Sequence, residues 1–299
     1  MAPLIINRTN DALFKNIFAN KKHKNITLSL INSVLEFEGT AQVQDIDFLD
    51  REVNGENDTD KDSRLDFLGV CSDGTKINVE IQVAKLEEMG RRSLFYWCRI
   101  YNDLEAGQDY GELKRTVAIN LLDFNLFSKN DCPHYHNCYG LYNSKNYHKL
   151  TSDLEMHFIE IPKWKLDIMK KIDDKGKDKP QNIVDAEKVK AMKRLDKWVS
   201  YFSSKTKPEE LEAIAMTEPM IQEALKAEVL FKQDKAAWWE YEKAEKIRRD
   251  KLAQINYAKK QGKIEDIKNL MDSCKWTVEQ AMAALKIPKD DYPEYVALM

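Results

Sequence analysis

The fold of this chain is decided by residues 64–82, which read RLDFLGVCSDGTKINVEIQ. Two runs of alternating apolar and polar residues flank Asp73-Gly74, a pair that is typical of a tight turn between antiparallel strands. The segment therefore predicts a β-hairpin, and the number of residues in its turn decides which side chains share a face.

Two registers of this hairpin are compatible with the turn. A two-residue turn pairs Asp66 with Ile81 and mixes polar and apolar side chains on both faces. A three-residue turn, with Gly74 in the left-handed conformation, pairs Asp66 with Glu80 and separates the two kinds of side chain. Because a one-residue slip moves every side chain to the other face, we predict the segregated register. Its apolar face consists of Leu65, Phe67, Gly69, Cys71, Ile77, Val79, Ile81 and Val83, and its polar face of Arg64, Asp66, Asn78, Glu80 and Gln82 together with Leu68 and Val70.

The predicted register makes Asp66 and Glu80 direct cross-strand neighbours, with Cβ atoms roughly 5 Å apart. Two negative charges at this distance repel each other, and a shared proton or a divalent cation relieves the repulsion. Oxygen ligands favour Mg²⁺ or Mn²⁺ over Zn²⁺. The pair is therefore a candidate metal site, and the alternative is a solvated polar face that binds nothing.

Several short motifs follow one another in a specific order along the first half of the chain. They are Asn10-Asp-Ala-Leu-Phe-Lys15, Leu65-Asp66, Asn78-Val-Glu-Ile-Gln82, Arg92 through Tyr101, Gly107-Gln-Asp-Tyr110 and Phe158-Ile-Glu-Ile161. With these motifs, residues 7–165 resemble the recombination-promoting nuclease and transposase family of the PD-(D/E)xK nuclease superfamily. The resemblance implies an α/β fold with a restriction-endonuclease-like core, in which helices flank a mixed sheet. It also implies a metal-dependent DNA endonuclease linked to recombination or mobile-element processing.

The same resemblance implies a catalytic triad of Asp66, Glu80 and Gln82, in which Gln82 takes the place of the superfamily's more common lysine. Asp66 and Glu80 would hold Mg²⁺ (or Mn²⁺), which lowers the pKa of a bound water and polarises a phosphate oxygen. Because an amide takes up no proton at neutral pH, Gln82 would orient water or stabilise charge rather than act as a base.

The first helix carries two further candidates. Asp11 is either an outer metal ligand or a residue that stabilises the helix N-terminus, with Thr9 or Asn10 as the cap. Lys15, at the end of the first motif, is a candidate for contact with DNA. Only the family resemblance implies that the first helix, and with it these two residues, lies at the metal site.

A later helical pattern at 87–104 carries two arginines that are candidates for DNA binding. Its polar stripe consists of Arg92, Tyr96, Arg99 and Asp103, and we expect it to lie opposite Phe95 and Cys98. Arg92 and Arg99 either reach DNA phosphates near the metal site or lie on a solvated, ion-paired face.

Residues 132–138 read CPHYHNC and contain the ligand types that suit zinc. In a strand, however, alternate residues lie over about 6 Å apart, and the two cysteines would be about 20 Å apart. We therefore expect a strand edge with His and Tyr side chains, rather than a zinc site made by Cys132, His134, His136 and Cys138.

Composition limits the remaining possibilities. The chain has 299 residues, a formal net charge of −3 and five cysteines. The length allows one α/β domain plus a further region. The cysteines do not have the spacing of a disulfide framework, which indicates free thiols in a reducing, cytoplasmic compartment. We find neither a signal peptide nor a run of about 18 apolar residues that could span a membrane. Without a global positive charge, binding to DNA would depend on local basic patches.

We divide the chain into a nuclease-like catalytic domain at 1–165, a charged connector at 166–184 and an all-α C-terminal region at 185–299. An acidic segment at 50–62 is predicted to be an inserted loop. Residues 218–261 form a long Lys/Glu-rich helical pattern with two adjacent tryptophans, which is either two packed helices or a helix that pairs with another chain in a homo-oligomer. A helical hairpin is predicted at 262–285, with Thr277 and Gln280 as a capping box.

A function of a different class stays open beside the enzyme. The chain would then be a catalytically weak or inactive nucleic-acid-binding protein, or an oligomeric interaction protein, that uses the same fold. The acidic charge balance and Gln82 in place of lysine favour this alternative, whereas the presence of both Asp66 and Glu80 favours the endonuclease.

Overall fold

A computed structural model describes residues 6–49, 52–53, 63–85, 88–168 and 184–299. The chain divides into two compact units, Met1–Ala244 and Glu245–Met299. Most of the predicted connector at 166–184 and most of the predicted acidic loop at 50–62 lie outside the described residues, as does the side chain of Arg64. None of the helices in the described ranges combines the length and the apolar character that a bilayer crossing requires.

The first unit is built on a mixed sheet, as predicted. The strands are β1 (Ile46–Phe48), β2 (Glu52–Val53), β3 (Ser63–Arg64), β4 (Phe67–Cys71), β5 (Lys76–Gln82), β6 (Thr116–Leu122), β7 (His136–Tyr139) and β8 (Leu154–Glu160). Six of them form one sheet in the order β1-β4-β5-β6-β8-β7, and β2 pairs with β3 separately. β5, β6 and β8 are parallel neighbours in the centre, whereas β1/β4, β4/β5 and β7/β8 are antiparallel pairs.

The hairpin of β4 and β5 has the segregated register that the sequence predicts. Phe67 pairs with Val79 and Gly69 with Ile77. Gly74 has φ +86° and its N–H donates to the carbonyl of Cys71 at 2.9 Å, which closes the three-residue turn.

One member of the predicted apolar face lies elsewhere, and that part of the prediction is wrong. Leu65 is fully buried, but it packs with Leu68, Tyr96 and Ile100 instead of with Phe67. The regular strand begins only at Phe67, so strict alternation does not extend back to Leu65.

Helices of the first unit cover both faces of the sheet. The helices of the described chain are α1 (Asp11–Phe18), α2 (Lys24–Val34), α3 (Met89–Tyr101), α4 (Ala186–Ala191), α5 (Arg194–Phe202), α6 (Pro208–Ala215), α7 (Pro219–Gln233), α8 (Lys235–Cys274), α9 (Val278–Ala284) and α10 (Tyr292–Ala297). Apolar residues of α1, α2 and α5–α7 share one core with Phe67, Ile77 and Val79 of the hairpin. On the opposite face, Met89 and Trp97 of α3 pack against β6 and β8. The helices between 185 and 244 thus contribute to the core of the first unit. The division into a catalytic domain at 1–165, a connector at 166–184 and a helical region at 185–299 stays a prediction.

α3 turns a different face toward the sheet from the one expected. Its buried residues are Met89, Ser93, Tyr96, Trp97 and Ile100. Phe95 is 53% exposed and Cys98 is also exposed, so the expectation that they lie opposite an outward polar stripe is wrong. Trp97 and Ile100 together bury more apolar surface than Phe95 would alone, and Tyr96 beside them turns inward. Arg92, one turn before Tyr96, is consequently half-buried.

The long pattern at 218–261 is two helices within the described chain. α7 ends at Gln233, and Asp234 begins α8 by accepting the N–H groups of Ala236 and Ala237 at 2.9 and 3.2 Å. Trp238 stacks on Tyr241 with ring centroids 4.7 Å apart, whereas Trp239 is exposed. Pairing of these helices with a second chain stays a prediction.

The second unit has a small core of its own. Ile264 and Ile267 of α8 pack with Ala281 and Met282 of α9. The predicted capping box is confirmed, because the Thr277 hydroxyl accepts the N–H of residue 280 at 3.3 Å and the Gln280 side chain accepts the Thr277 N–H at 2.9 Å.

A buried ion pair after β8 yields a prediction about stability. The side chains of Glu160 and Lys163 are 0% and 1% exposed, and Lys163 Nζ lies 2.6 Å from Glu160 Oε2. Glu160 Oε1 also accepts the N–H groups of Leu126 and Phe127. Lys163→Met would leave the buried carboxylate without a counter-charge, so we expect it to lower the free energy of unfolding by about 3–5 kcal/mol. Urea titration measures this, with Lys165→Met as the exposed control; a loss below about 1 kcal/mol for Lys163→Met would contradict the prediction.

Candidate active site

Asp66 and Glu80 meet where the hairpin ladder ends. The last pair of the ladder is Phe67 with Val79, and Asp66 and Glu80 are the next residues along the two strands. Both residues are buried, with 5% and 3% exposure. Carboxylates are rarely buried to this extent without a charged partner, so this pair requires an electrostatic explanation.

The side chain of Asp66 is held by two hydrogen-bond donors. Its Oδ2 accepts the backbone N–H of Ile81 at 2.8 Å, and its Oδ1 lies 3.1 Å from the ammonium nitrogen of Lys15. Burial raises the pKa of Asp66 well above its ordinary value, the charges of Glu80 and Asp11 raise it further, and Lys15 opposes them. An additional cation at this position would therefore stabilise the ionised form of Asp66.

The backbone of Asp66 and the side chain of Asn78 donate hydrogen bonds to the Glu80 carboxylate, and both lower its pKa. Its buried Oε1, however, has no hydrogen-bond donor among the described residues. Burial raises the pKa of Glu80, and the charge of Arg92 is the largest influence that lowers it. The Nε of Arg92 is also buried without an acceptor in the described part of the chain, and its guanidinium lies 4.9 Å from the centre of the Tyr96 ring.

The first helix brings Asp11 and Lys15 to the same place. Asn10 is the N-cap and accepts the N–H groups of Ala12 and Leu13, so Asp11 lies in the first turn as expected for a residue that stabilises the helix N-terminus. Asp11 Oδ1 is also 2.7 Å from Lys15 Nζ, and its charge acts on Asp66. Burial alone would lower the pKa of Lys15, but Asp66 and Asp11 raise it overall, which keeps the ammonium charged.

The other predicted residues lie at different distances from this centre. Gln82 is half-buried at the end of β5, two residues beyond Glu80 and so on the same face of the strand. Arg99 lies about 10 Å along α3 from Arg92, and its guanidinium stacks on Phe95 with 5.6 Å to the ring centre. The structure thus brings Asp66, Glu80, Lys15 and Asp11 together, and the charge of Arg92 acts on Glu80.

Two features of the centre were not predicted. Lys15 was a candidate for DNA contact, but its ammonium lies on the Asp66 carboxylate. The i,i+4 spacing of Asp11 and Lys15 within the first motif predicts that the two residues share a helix face, but it does not predict that this face meets Asp66. Asn78, on the polar face of the hairpin, also has a buried Oδ1 without a partner among the described residues.

These residues fit a divalent cation of the Mg²⁺ type. Mg²⁺ keeps several waters and is commonly bound by one or two carboxylates. Glu80 Oε1 is a buried acceptor without a hydrogen-bond donor in the part of the chain that the structure describes. Asp11, Asp66 and Glu80 do not form a tight group of three metal ligands, because their carboxylate oxygens do not all lie within 4.8 Å of one another. Asp11 is 54% exposed in its side chain, and its position suits an outer, water-mediated contact.

The mixed sheet with flanking helices and a buried acidic pair agrees with the fold of PD-(D/E)XK nucleases. The family model of PD-(D/E)XK nuclease family transposases matches residues 8–258, and the chain belongs to that family. The match extends beyond the motifs within residues 7–165 and includes α4–α7 and part of α8. Neither the curated proteins nor the solved structures gave a significant match. Family membership indicates a nuclease-type function.

The raised pKa of Glu80 makes the stability of the fold depend on pH. Its pKa is higher in the folded than in the unfolded protein, so stability falls as the pH rises from the ordinary carboxyl value toward the folded value. Without metal at pH 8, we expect Glu80→Gln to melt roughly 2–4 °C above wild type, and this gain should vanish near pH 4. Mg²⁺ should raise the melting temperature of wild type but not of the variant. Scanning calorimetry measures both effects, and an equal Mg²⁺ shift in the two proteins would contradict the assignment.

Proposed function

We propose that this chain is a metal-dependent endonuclease that hydrolyses phosphodiester bonds in DNA. Asp66 and Glu80 would hold Mg²⁺ (or Mn²⁺). The observation that carries the proposal is the buried Oε1 of Glu80, which has no hydrogen-bond partner within the described ranges and lies beside a second buried carboxylate. A role in recombination or mobile-element processing and a cytoplasmic location belong to the same proposal, and they depend on the family rather than on the site.

The bound ion would supply an acidified water and a Lewis acid for the phosphoryl oxygens. The chain's own groups would position the substrate around it. Gln82 would orient the attacking water through its amide, which can donate and accept hydrogen bonds but takes up no proton at neutral pH. Asp11 would hold metal-bound water at the outer side of the site.

Lys15 supplies from α1 the positive charge that the strand lacks at Gln82. Its ammonium lies 3.1 Å from Asp66, so it would keep Asp66 ionised and stand near the charge that develops on the phosphoryl group. Arg92 on α3 would likewise keep Glu80 ionised, because its positive charge lowers the pKa of that carboxyl. Arg92 and Arg99 would also contact flanking DNA phosphates.

A cleft along α1 reaches Asp11 and Lys15 and would offer a path for DNA. It has a volume of about 760 Å³, and its charged lining residues are Asp11, Lys15, Lys21, Lys22 and Glu240. Lysines contribute to DNA affinity without sequence preference by neutralising phosphates. Because the chain has a net charge of −3, its DNA binding would depend on local lysines such as Lys21 and Lys22.

A second candidate is a nucleic-acid-binding or oligomeric interaction protein with little or no catalytic activity. The observation that favours it is the Lys15–Asp66 ion pair, because the ammonium already balances the charge of one predicted metal ligand. Gln82 in place of lysine also favours it. In this case DNA binding would persist without cleavage.

Cleavage of supercoiled plasmid and of branched DNA, with Mg²⁺, Mn²⁺ or EDTA, tests the two candidates against each other. The endonuclease predicts nicked or linear plasmid, or resolved branches, with either metal and no product with EDTA. Binding in a gel-shift assay without cleavage of any substrate by either metal would favour the second candidate and overturn the proposed activity.

A further inference from the structure

Three side chains with zinc-binding chemistry converge at the other edge of the sheet. Cys138 on the edge strand β7 is the direct cross-strand partner of His157 on β8, and Glu155 lies two residues earlier on the same face of β8. The ligand atoms of the three residues all lie within 4.8 Å of one another. Within the described ranges, no other group of three or more His, Cys, Asp or Glu side chains is this compact.

The distances between the ligand atoms match a tetrahedral zinc site. Cys138 Sγ lies 3.9 Å from His157 Nε2 and 3.7 Å from Glu155 Oε1. His157 Nε2 and Glu155 Oε1 are 3.4 Å apart. With ordinary bond lengths and tetrahedral angles, Zn²⁺ separates sulfur from nitrogen or oxygen by about 3.6 Å, and nitrogen from oxygen by about 3.4 Å. An ion therefore fits between the three atoms with only small side-chain shifts.

The surroundings hold the ligand atoms in suitable orientations. His157 is 3% exposed, and its Nδ1 lies 2.9 Å from Nε2 of His136. With Nε2 as the ligand atom, Nδ1 carries the proton and donates to His136, the kind of outer contact that fixes ligating histidines. Arg115 contacts Oε2 of Glu155, which leaves Oε1 as a single oxygen ligand facing the cysteine.

We propose that Cys138, Glu155 and His157 bind one Zn²⁺ ion that fastens the edge strand β7 to β8. Cys138 is exposed, so water would complete the coordination at the solvent side. The combination of sulfur, nitrogen and oxygen ligands selects zinc over Mg²⁺. The site differs from the set considered within residues 132–138, since Cys132 Sγ instead lies 3.7 Å from the Tyr139 hydroxyl. It is also separate from Asp66 and Glu80 and does not depend on the proposed nuclease activity.

Titration of the full chain with Co²⁺, without a histidine tag and after removal of metals, tests the proposal. A thiolate ligand gives a charge-transfer absorption band in the near ultraviolet, and we expect this band to saturate at about one equivalent and to disappear when Zn²⁺ is added. Cys138→Ser should remove the band and weaken Zn²⁺ binding by at least about 100-fold. Zn²⁺ should also slow amide hydrogen exchange in β7 of the wild-type protein.

The matched control is Cys98→Ser, which removes an exposed thiol on α3 outside the cluster. It should keep the charge-transfer band and the zinc affinity of wild type, and so should Glu80→Gln. A wild-type Co²⁺ complex without a thiolate band would overturn the proposal, however the variants fold. A band that persists in Cys138→Ser would overturn it as well.

Discussion

Glu80→Gln is expected to lower the rate of metal-dependent DNA cleavage by at least about 10³-fold, or about 4 kcal/mol of transition-state stabilisation. The substitution keeps the shape of the side chain and replaces the charged carboxylate, one oxygen of which has no partner among the described residues, with a neutral amide. Because the buried site would lose one of its two predicted metal ligands, cleavage should fall while the fold persists. Plasmid cleavage at saturating Mg²⁺ measures the effect.

Glu105→Gln is the matched control for this prediction. Glu105 is exposed in the loop after α3, so the same chemical change there should leave cleavage within about twofold of wild type. A Glu80→Gln variant that cuts DNA at the wild-type rate would remove Glu80 from the catalytic site. Circular dichroism of both variants establishes that any loss of activity is not a loss of fold.

Lys15→Met is expected to lower cleavage by about 10²–10³-fold, the usual cost of removing one electrostatic contact from an active site. Lys15 opposes the influences that raise the pKa of Asp66. Without the ammonium, the pKa of Asp66 rises further and a larger fraction of the carboxyl is protonated at neutral pH. The pH dependence of cleavage should therefore shift to higher pH, and Lys15→Arg should restore part of the rate.

Lys22→Met separates this role from general attraction of DNA. Lys22 is exposed and lines the same cleft, so its loss should weaken DNA binding by about threefold without moving the pH profile. A Lys15→Met variant with the same small effect and an unchanged pH profile would show that Lys15 acts only as a phosphate contact.

The hairpin could be predicted from sequence because apolar and polar residues alternate along both strands. A one-residue shift of the register would move the charged side chains to the apolar face. The observed turn at Gly74 and the pairing of Phe67 with Val79 follow from that pattern. The prediction was wrong for Leu65, which lies before the regular strand begins. It was also wrong for the direction of α3, where Trp97 and Ile100 outweigh Phe95. Local periodicity does not reveal which of two mixed helix faces meets the larger apolar surface.

The candidate site could be predicted only in part for a related reason. Asp66 and Glu80 are neighbours through local pairing, so the sequence was enough to propose them together. The contact between Lys15 and Asp66 depends on how α1 packs against the sheet, and a spacing pattern contains no such information. The same holds for the cysteine of β7 and its two partners on β8, which are separated along the chain by a loop.

The central claim is that Asp66 and Glu80 together bind the catalytic metal, and crystals grown with Mn²⁺ test it most directly. Anomalous diffraction at the manganese edge locates the ion independently of activity, DNA substrate and turnover. We predict an anomalous peak with an oxygen of Asp66 and an oxygen of Glu80 at about 2.0–2.2 Å. A peak only at Cys138, Glu155 and His157, or no peak at the hairpin at saturating Mn²⁺, would contradict the account.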